Sequence, residues 1–211
     1  MRATTSAFID RRRGRGGVLV AAALAFACAG SAPTRPTQVE LQDDRGFQLN
    51  EEVRVGSQVR ADFERAVRAL EGEQYQRGIA LLVGVTEAAP HLTTAHIDLG
   101  IAYARVDELA NAEKSLAKAL ELSPRHPVAH NELGIVYRRT GRFAKARASY
   151  ERALEVYADF HLARRNLAIL CDMYLADASC ALEHYEIHAR AVPDDPEVAI
   201  WIADLRNRVG R

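Results

Sequence analysis

The sequence predicts an all-α fold, a solenoid of antiparallel helix pairs closed at its C-terminal end by one further helix. Three observations carry this. Residues 131–154, NELGIVYRRTGRFAKARASYERAL, restate residues 97–120, IDLGIAYARVDELANAEKSLAKAL, at an offset of 34. Apolar residues inside these stretches recur at helical spacing: Phe143, Ala146, Tyr150, Ala153 and Leu154 step by three, four, three and one. The chain is rich in Ala, Leu, Arg and Glu and has only seven prolines and six phenylalanines, a balance that favours helix because these residues lose little rotamer freedom there.

From about residue 59 the period organises the chain into segments 59–92, 93–126, 127–160 and 161–194. Val67, Ile101, Ile135 and Ile169 occupy one equivalent position. The small residues Ala66, Gly100, Gly134 and Ala168 occupy the position before it. In the second half of the segments Leu82, Leu116 and Tyr150 align, as do Gly78, Ala112 and Ala146. Within the third segment Val128, Leu133, Ile135, Val136 and Tyr137 suit one helix, and Gly141 breaks it before the second. The small residues mark where the paired helices approach closely. One such pair cannot bury both of its faces, so it stacks on its neighbours.

These features resemble the tetratricopeptide repeat: Leu-Gly, a tyrosine three residues on, then Ala, an aromatic or Leu, Ala, and Pro90 or Pro124 at the segment end. The resemblance spans roughly 59–194. It is closest in the second and third segments. The first has Arg65 where Leu stands later and Gly78 where Ala stands. The fourth has Cys171 in place of the tyrosine and one extra residue in its turn, near Leu175–Ala178. After Pro193, Asp195 and Pro196 suit a helix start, and Val198, Ile202, Leu205 and Val209 form an apolar stripe opposite Asp204, Arg206, Asn207 and Arg208. Residues 195–211 are therefore expected to be the solvating cap of the array, with Trp201 packed on the last pair.

The N-terminal residues read as an address. Arg11, Arg12, Arg13 and Arg15 precede an apolar run, Val18–Ala27, too short to span a bilayer and of the length of a signal-peptide core. Leu24-Ala25-Phe26-Ala27-Cys28 resembles a bacterial lipobox, which implies cleavage before Cys28 and lipidation of its thiol. Ala25 and Phe26 depart from the commonest pattern. Ordinary cleavage after Ala27 and an uncleaved anchor are the competing readings. On the lipoprotein reading 1–27 is the signal, and 28–56, opening with small residues and Pro33 and Pro36, holds the lipidated cysteine and a tether. The array proper then covers 57–194. Residue 29 is not the aspartate that implies inner-membrane retention, so the expected location is the outer membrane facing the periplasm, with soluble periplasm as the alternative.

Five arginines and one acid lie in residues 1–27; setting these aside from the 28 basic and 28 acidic residues leaves 23 and 27, a net of −4. That balance gives no basic face for nucleic acid. No phosphate-cradling glycine loop, no catalytic constellation and no cofactor motif stand in 59–211. His184 and His188 are four apart, a spacing that could hold a metal, but the next residue is Tyr185, so the zinc-peptidase pattern is absent; a solvated helix face is expected there. No metal or small-molecule substrate is expected.

Cys171 and Cys180 fall in the two helices of the fourth segment where these meet. In an oxidising compartment a disulfide is expected between them, contributing on the order of 2–3 kcal/mol for a loop of about ten residues. The other reading is two small buried thiols. The resemblance further implies that the first helices of the pairs line a peptide groove, with Phe63, Val67, Ile97, Ile101, Asn131, Ile135, Arg138, Arg165 and Ile169 on it. The same aliphatic row reads equally as core, or as a floor covered by the N-terminal segment. Ile97, Asp98, Ile101 and Glu132 stand where a chaperone-carboxylate clamp would need Lys and Asn. The expected function is a non-enzymatic, lipid-anchored adaptor for another envelope protein in a pilus or secretion-like assembly; the alternative is a scaffold for peptidoglycan-remodelling enzymes.

Overall fold

The structure, a computed structural model, describes residues 55–210 and, before them, only the backbone of four short strands. These are β1 (Thr5–Ile9), β2 (Val18–Ala21), β3 (Gln38–Gln42) and β4 (Gly46–Asn50), antiparallel in the order β2-β1-β4-β3. Strands were not expected here. Val39 and Leu41 pair in register with Leu49 and Phe47, an alternation that suits antiparallel pairing. Apart from these backbones, the expected signal, Cys28 and the tether lie outside the described residues.

From residue 57 every element is a helix: α1 (Ser57–Glu71), α2 (Tyr75–Ala88), α3 (Thr93–Arg105), α4 (Leu109–Leu122), α5 (Pro127–Arg139), α6 (Phe143–Val156), α7 (His161–Met173), α8 (Ala178–Ala191) and α9 (Pro196–Val209). The fold is the expected all-α solenoid type of helix pairs with a closing helix. The period is visible in the helix starts: α3, α5 and α7 begin 34 residues apart, at 93, 127 and 161, while α9 begins at 196 because of one inserted residue. That residue lies where the sequence places it. The turns 72–74, 106–108 and 140–142 have three residues, and the α7–α8 turn, 174–177, has four.

Each of these turns contains one left-handed residue: Glu73, Asp107, Gly141 and Ala176, with φ of 57°, 66°, 73° and 52°. Only one is glycine, so the other three hold a conformation that a Cβ disfavours. At the C-terminal end Asp177 caps α8, its side chain accepting from Cys180 N at 3.0 Å, and Asp195 caps α9, accepting from Val198 N at 3.2 Å with Pro196 at the first position.

The chain divides into two compact units, 1–126 and 127–211. In the first, α1 packs on α2, α2 on α3 and α3 on α4. Its core gathers Phe63, Ala66, Leu70, Leu82, Val85, Leu92, Ala95 and Leu99. In the second, α5–α6 and α7–α8 are the pairs, α6 stacks on α7, and α9 lies on α8. Its core gathers Tyr150, Leu167, Leu170, Cys171, Tyr185, Val198, Ile202 and Leu205. Val209 is not part of it: at 47% exposure it lies beyond the last contact of α9, so the expected apolar stripe ends at Leu205. Trp201 packs 5.3 Å from the Tyr185 ring, as a cap residue on the last pair should.

The close approach inside a pair is steric fact. A Cβ on Gly134 would stand 2.5 Å from the Tyr150 ring, and one on Gly100 would stand 2.6 Å from Leu116 Cγ. Two substitutions should therefore act in opposite directions in chemical denaturation. Gly134→Ala should destabilise by about 1–2 kcal/mol, overpacking outweighing the gain in helix propensity. Ala176→Gly should stabilise by about 1 kcal/mol by releasing left-handed strain.

Candidate functional site

The first-helix residues fare differently in the two units. In unit 1, Phe63, Val67, Ile97 and Ile101 are all buried. α3 is buried without a break from Thr93 to Ala102, and the backbone of β2 runs beside both α1 and α3. This face presents a covered floor.

In unit 2 the equivalent residues are partly open. Asn131 is buried; its carbonyl oxygen accepts from Asn166 Nδ2 at 2.9 Å and its amide donates to Glu132 Oε1 at 2.9 Å, which fixes its orientation between α5 and α7. Ile135, Arg138, Arg165 and Ile169 are half-buried. Arg138 lies over the Tyr174 ring at 5.8 Å. Burial pushes the Tyr150 phenol up to about 12, against the opposing pull of Arg138. Arg165 ties α7 to the closing helix: it donates to Glu197 at 2.8 Å, approaches Asp195 at 3.5 Å and lies 5.2 Å over the Trp201 ring. Ile135 and Ile169 rest on the core below. The result is an aliphatic floor edged by two guanidinium groups and a fixed amide. Met173 and Tyr174, at the inserted turn, are 70% and 42% exposed, and sequence reading did not single them out.

The expected disulfide is present, Cys171–Cys180, with Cα atoms 5.9 Å apart. Its position has a counterpart one repeat earlier. Allowing for the inserted residue, Cys171 and Cys180 correspond to Tyr137 and Lys145, whose side chains meet as a cation–π contact at 5.5 Å. The fourth pair replaces that contact with a covalent bond. Among the described residues, Cys171, Asp177 and Cys180 are the one group of potential metal ligands close enough to share an ion, and two of its three donors are consumed in the bridge.

The reading of His184 and His188 as a solvated face needs correction. His188 is buried at 2% exposure because α7 and the 192–195 loop cover it; it lies 3.0 Å from the His161 carbonyl oxygen and 3.2 Å from Asp195. His184 sits against Arg164, and burial lowers its pKa. Burial, and then the neighbouring His188, push His161 down to about 4. Asp195 is held below the usual carboxylate range. Burial acts against this, and the Val198 N–H, His188 and Arg165 more than offset it. Sequence spacing gave no sign of this network, because its members come from α7, α8 and the loop before α9.

Helix pairs at a fixed period, stacked within each unit, define a helical repeat array, a fold that suggests a scaffold for protein–protein interaction. Residues 90–159 match the tetratricopeptide repeat family profile. No curated protein matches it. Among solved structures it is similar to MamA of Desulfovibrio magneticus RS-1 (16% identity, 74% of this chain and 88% of that one, TM-score 0.66). It is also similar to pilF of Pseudomonas aeruginosa (21%, 71% and 68%, 0.65) and to the thermophilic repeat protein TTC0263 of Thermus thermophilus (22%, 70% and 80%, 0.61). At these identities the likeness shows the fold. Such repeats are generally non-catalytic adaptors.

Two consequences are measurable. Reducing the Cys171–Cys180 bridge, or Cys171→Ser with Cys180→Ser, should lower stability by about 2–3 kcal/mol in urea titrations. His161, with its folded pKa depressed, binds its proton more readily when unfolded. Its contribution is therefore favourable above the ordinary histidine range and is lost as pH falls from about 6.5 toward 4, by no more than about 3 kcal/mol. His161→Gln should flatten that part of the thermal-stability profile.

Proposed function

We propose that the chain is a lipid-anchored adaptor that holds another cell-envelope protein on the α5–α7 face of its second unit. The observation that carries this is the partly open face itself. Ile135 and Ile169 offer an aliphatic floor, while Arg138, Arg165 and Asn131 stand at its edge, an arrangement suited to an extended or helical peptide with acidic groups beside its apolar contacts. The disulfide supports an oxidising compartment, since such bridges persist outside the reducing cytosol. The basic stretch, short apolar run and Cys28 supply an export and lipidation signal of the matching kind. The expected location is the outer membrane, facing the periplasm.

Metabolic labelling with a clickable palmitate analogue tests the anchor: label in the wild type and none in Cys28→Ser is the expected result, and no label in either removes it. A photocrosslinking residue at Ile169 should capture an envelope protein, while the same residue at the exposed Arg152 should not. Equal capture at both positions would remove the α5–α7 face as the binding site.

A further inference from the structure

We propose that Arg138 reads one acidic side chain of the partner peptide, seated beside an apolar residue that rests on Ile135 and Ile169, a role that rests on the α5–α7 face being the binding surface. The cations around that face differ in whether they already have an acid. Arg165 donates to Glu197 at 2.8 Å and lies 3.5 Å from Asp195. Arg208, from α9, donates to Asp172 at 2.5 Å and lies 3.0 Å from Asp204. Arg138 has no carboxylate within ion-pair reach among the described residues. Its inner nitrogen, Nε, is closed off from water and meets no acceptor.

The neighbours of Arg138 hold its guanidinium without neutralising it. The Tyr174 ring lies beneath it at 5.8 Å. Of the charges acting on the buried Tyr150 phenol, Arg138 is the strongest, and it acts on the Tyr185 phenol of α8 as well. Burial raises both phenols, so they stay neutral through the ordinary pH range and supply no negative charge. Glu132, on the same helix, accepts from Asn131 at 2.9 Å. A half-buried guanidinium has already given up part of its water. A carboxylate that reaches it gains charge-assisted, bidentate hydrogen bonds at a reduced desolvation cost. Ile135 stands three residues before Arg138 on α5, so the apolar and acidic contacts are about 5–6 Å apart. An extended chain covers that distance in about two residues, and a helix in about three or four. The partner's acid is therefore expected at one of these spacings from its apolar anchor. Arg165 is not a second reader, because its donors are committed to the closing helix.

The test pans random phage-displayed peptides on the full chain. A selected peptide is then measured by fluorescence polarisation, with its acid intact or changed to the matching amide. Selection should enrich Asp or Glu at one of the two spacings from an aliphatic or aromatic residue. The amide should bind the wild type about tenfold more weakly. Against Arg138→Gln the same change should cost nothing. Against Arg165→Gln it should cost as much as before, whatever happens to overall affinity. A selection that yields no peptide, or none with an acid, overturns the proposal. So does an acid whose removal costs as much against Arg138→Gln as against the wild type, or whose cost disappears in Arg165→Gln instead. Ile169→Ala separates this role from the face itself. Binding weakened by Ile169→Ala, with the acid's cost surviving Arg138→Gln, keeps the face and removes Arg138 as the reader. Binding that Ile169→Ala leaves unchanged removes the face, and the proposal with it. If Arg138→Gln does not fold, Arg138→Lys takes its place. The charge then stays while the bidentate fork is lost, so the acid's cost should fall, and an equal cost overturns the proposal.

Discussion

Everything in this fold depends on how closely two helices of a pair can approach. In the second and third pairs a glycine on the first helix faces a large side chain on the second, Leu116 against Gly100 and Tyr150 against Gly134. The large side chain fills the space that the missing Cβ leaves, so one contact fixes both separation and register. In the first pair the roles are exchanged: Gly78 lies on the second helix and Leu70 of the first packs over it. In the fourth, Ala168 stands in the small position, and Tyr185, one residue displaced by the insertion, is buried in the large one. Close packing of this kind tolerates either direction of interlock, and at Gly100 and Gly134 the facing side chain leaves no room for a methyl group.

The fourth pair carries structural additions that the others lack. Its turn is longer, its Tyr–Lys contact has become a disulfide, and its second helix and the closing helix after it both begin on aspartate caps. These belong together. Among the described residues a single helix, α9, follows this pair, and covalent and polar contacts supplement its stacking. Arg165, His188 and Asp195 do for α9 what a following pair would otherwise do by burial. The ion pairs Arg206–Glu186 and Arg208–Asp172, both exposed, add orientation more than stability.

Most of the architecture was legible in the sequence because a repeat states each structural requirement several times. The helix starts at 93, 127 and 161, the extra residue in the fourth turn, the small residues at close approach and the placing of Cys171 opposite Cys180 follow from comparing the chain with itself; the bond between the two cysteines was expected from an oxidising compartment as well. What was not legible occurs only once. The burial of His188 depends on a loop and a helix that no other repeat possesses, so its spacing from His184 suggested an exposed face instead. The end of the α9 stripe at Leu205 was hidden for the same reason: periodicity predicts which face is apolar but not how far the supporting surface extends. The four N-terminal strands were likewise missed, since the stretches that pair as strands lie in residues read as a signal and a tether.

The first-helix positions show why a fold so legible leaves its partner less so. At one equivalent position the chain has Val67, Ile101, Ile135 and Ile169, four aliphatic residues of similar shape; at another it has Phe63, Ile97, Asn131 and Arg165, an aromatic, an aliphatic, an amide and a cation. The first row is held by packing, and packing asks the same of every repeat. The second row changes chemistry at each step while the backbone beneath it keeps its period: Phe63 and Ile97 are buried in unit 1, and Asn131 and Arg165 make polar contacts in unit 2. In unit 2 two of these residues are already committed, Asn131 to Asn166 and Arg165 to the closing helix. A partner on that face must therefore meet groups whose orientation is set in advance. Its ordering cost is lowered, and its choice depends on charge and shape at a few fixed points more than on area.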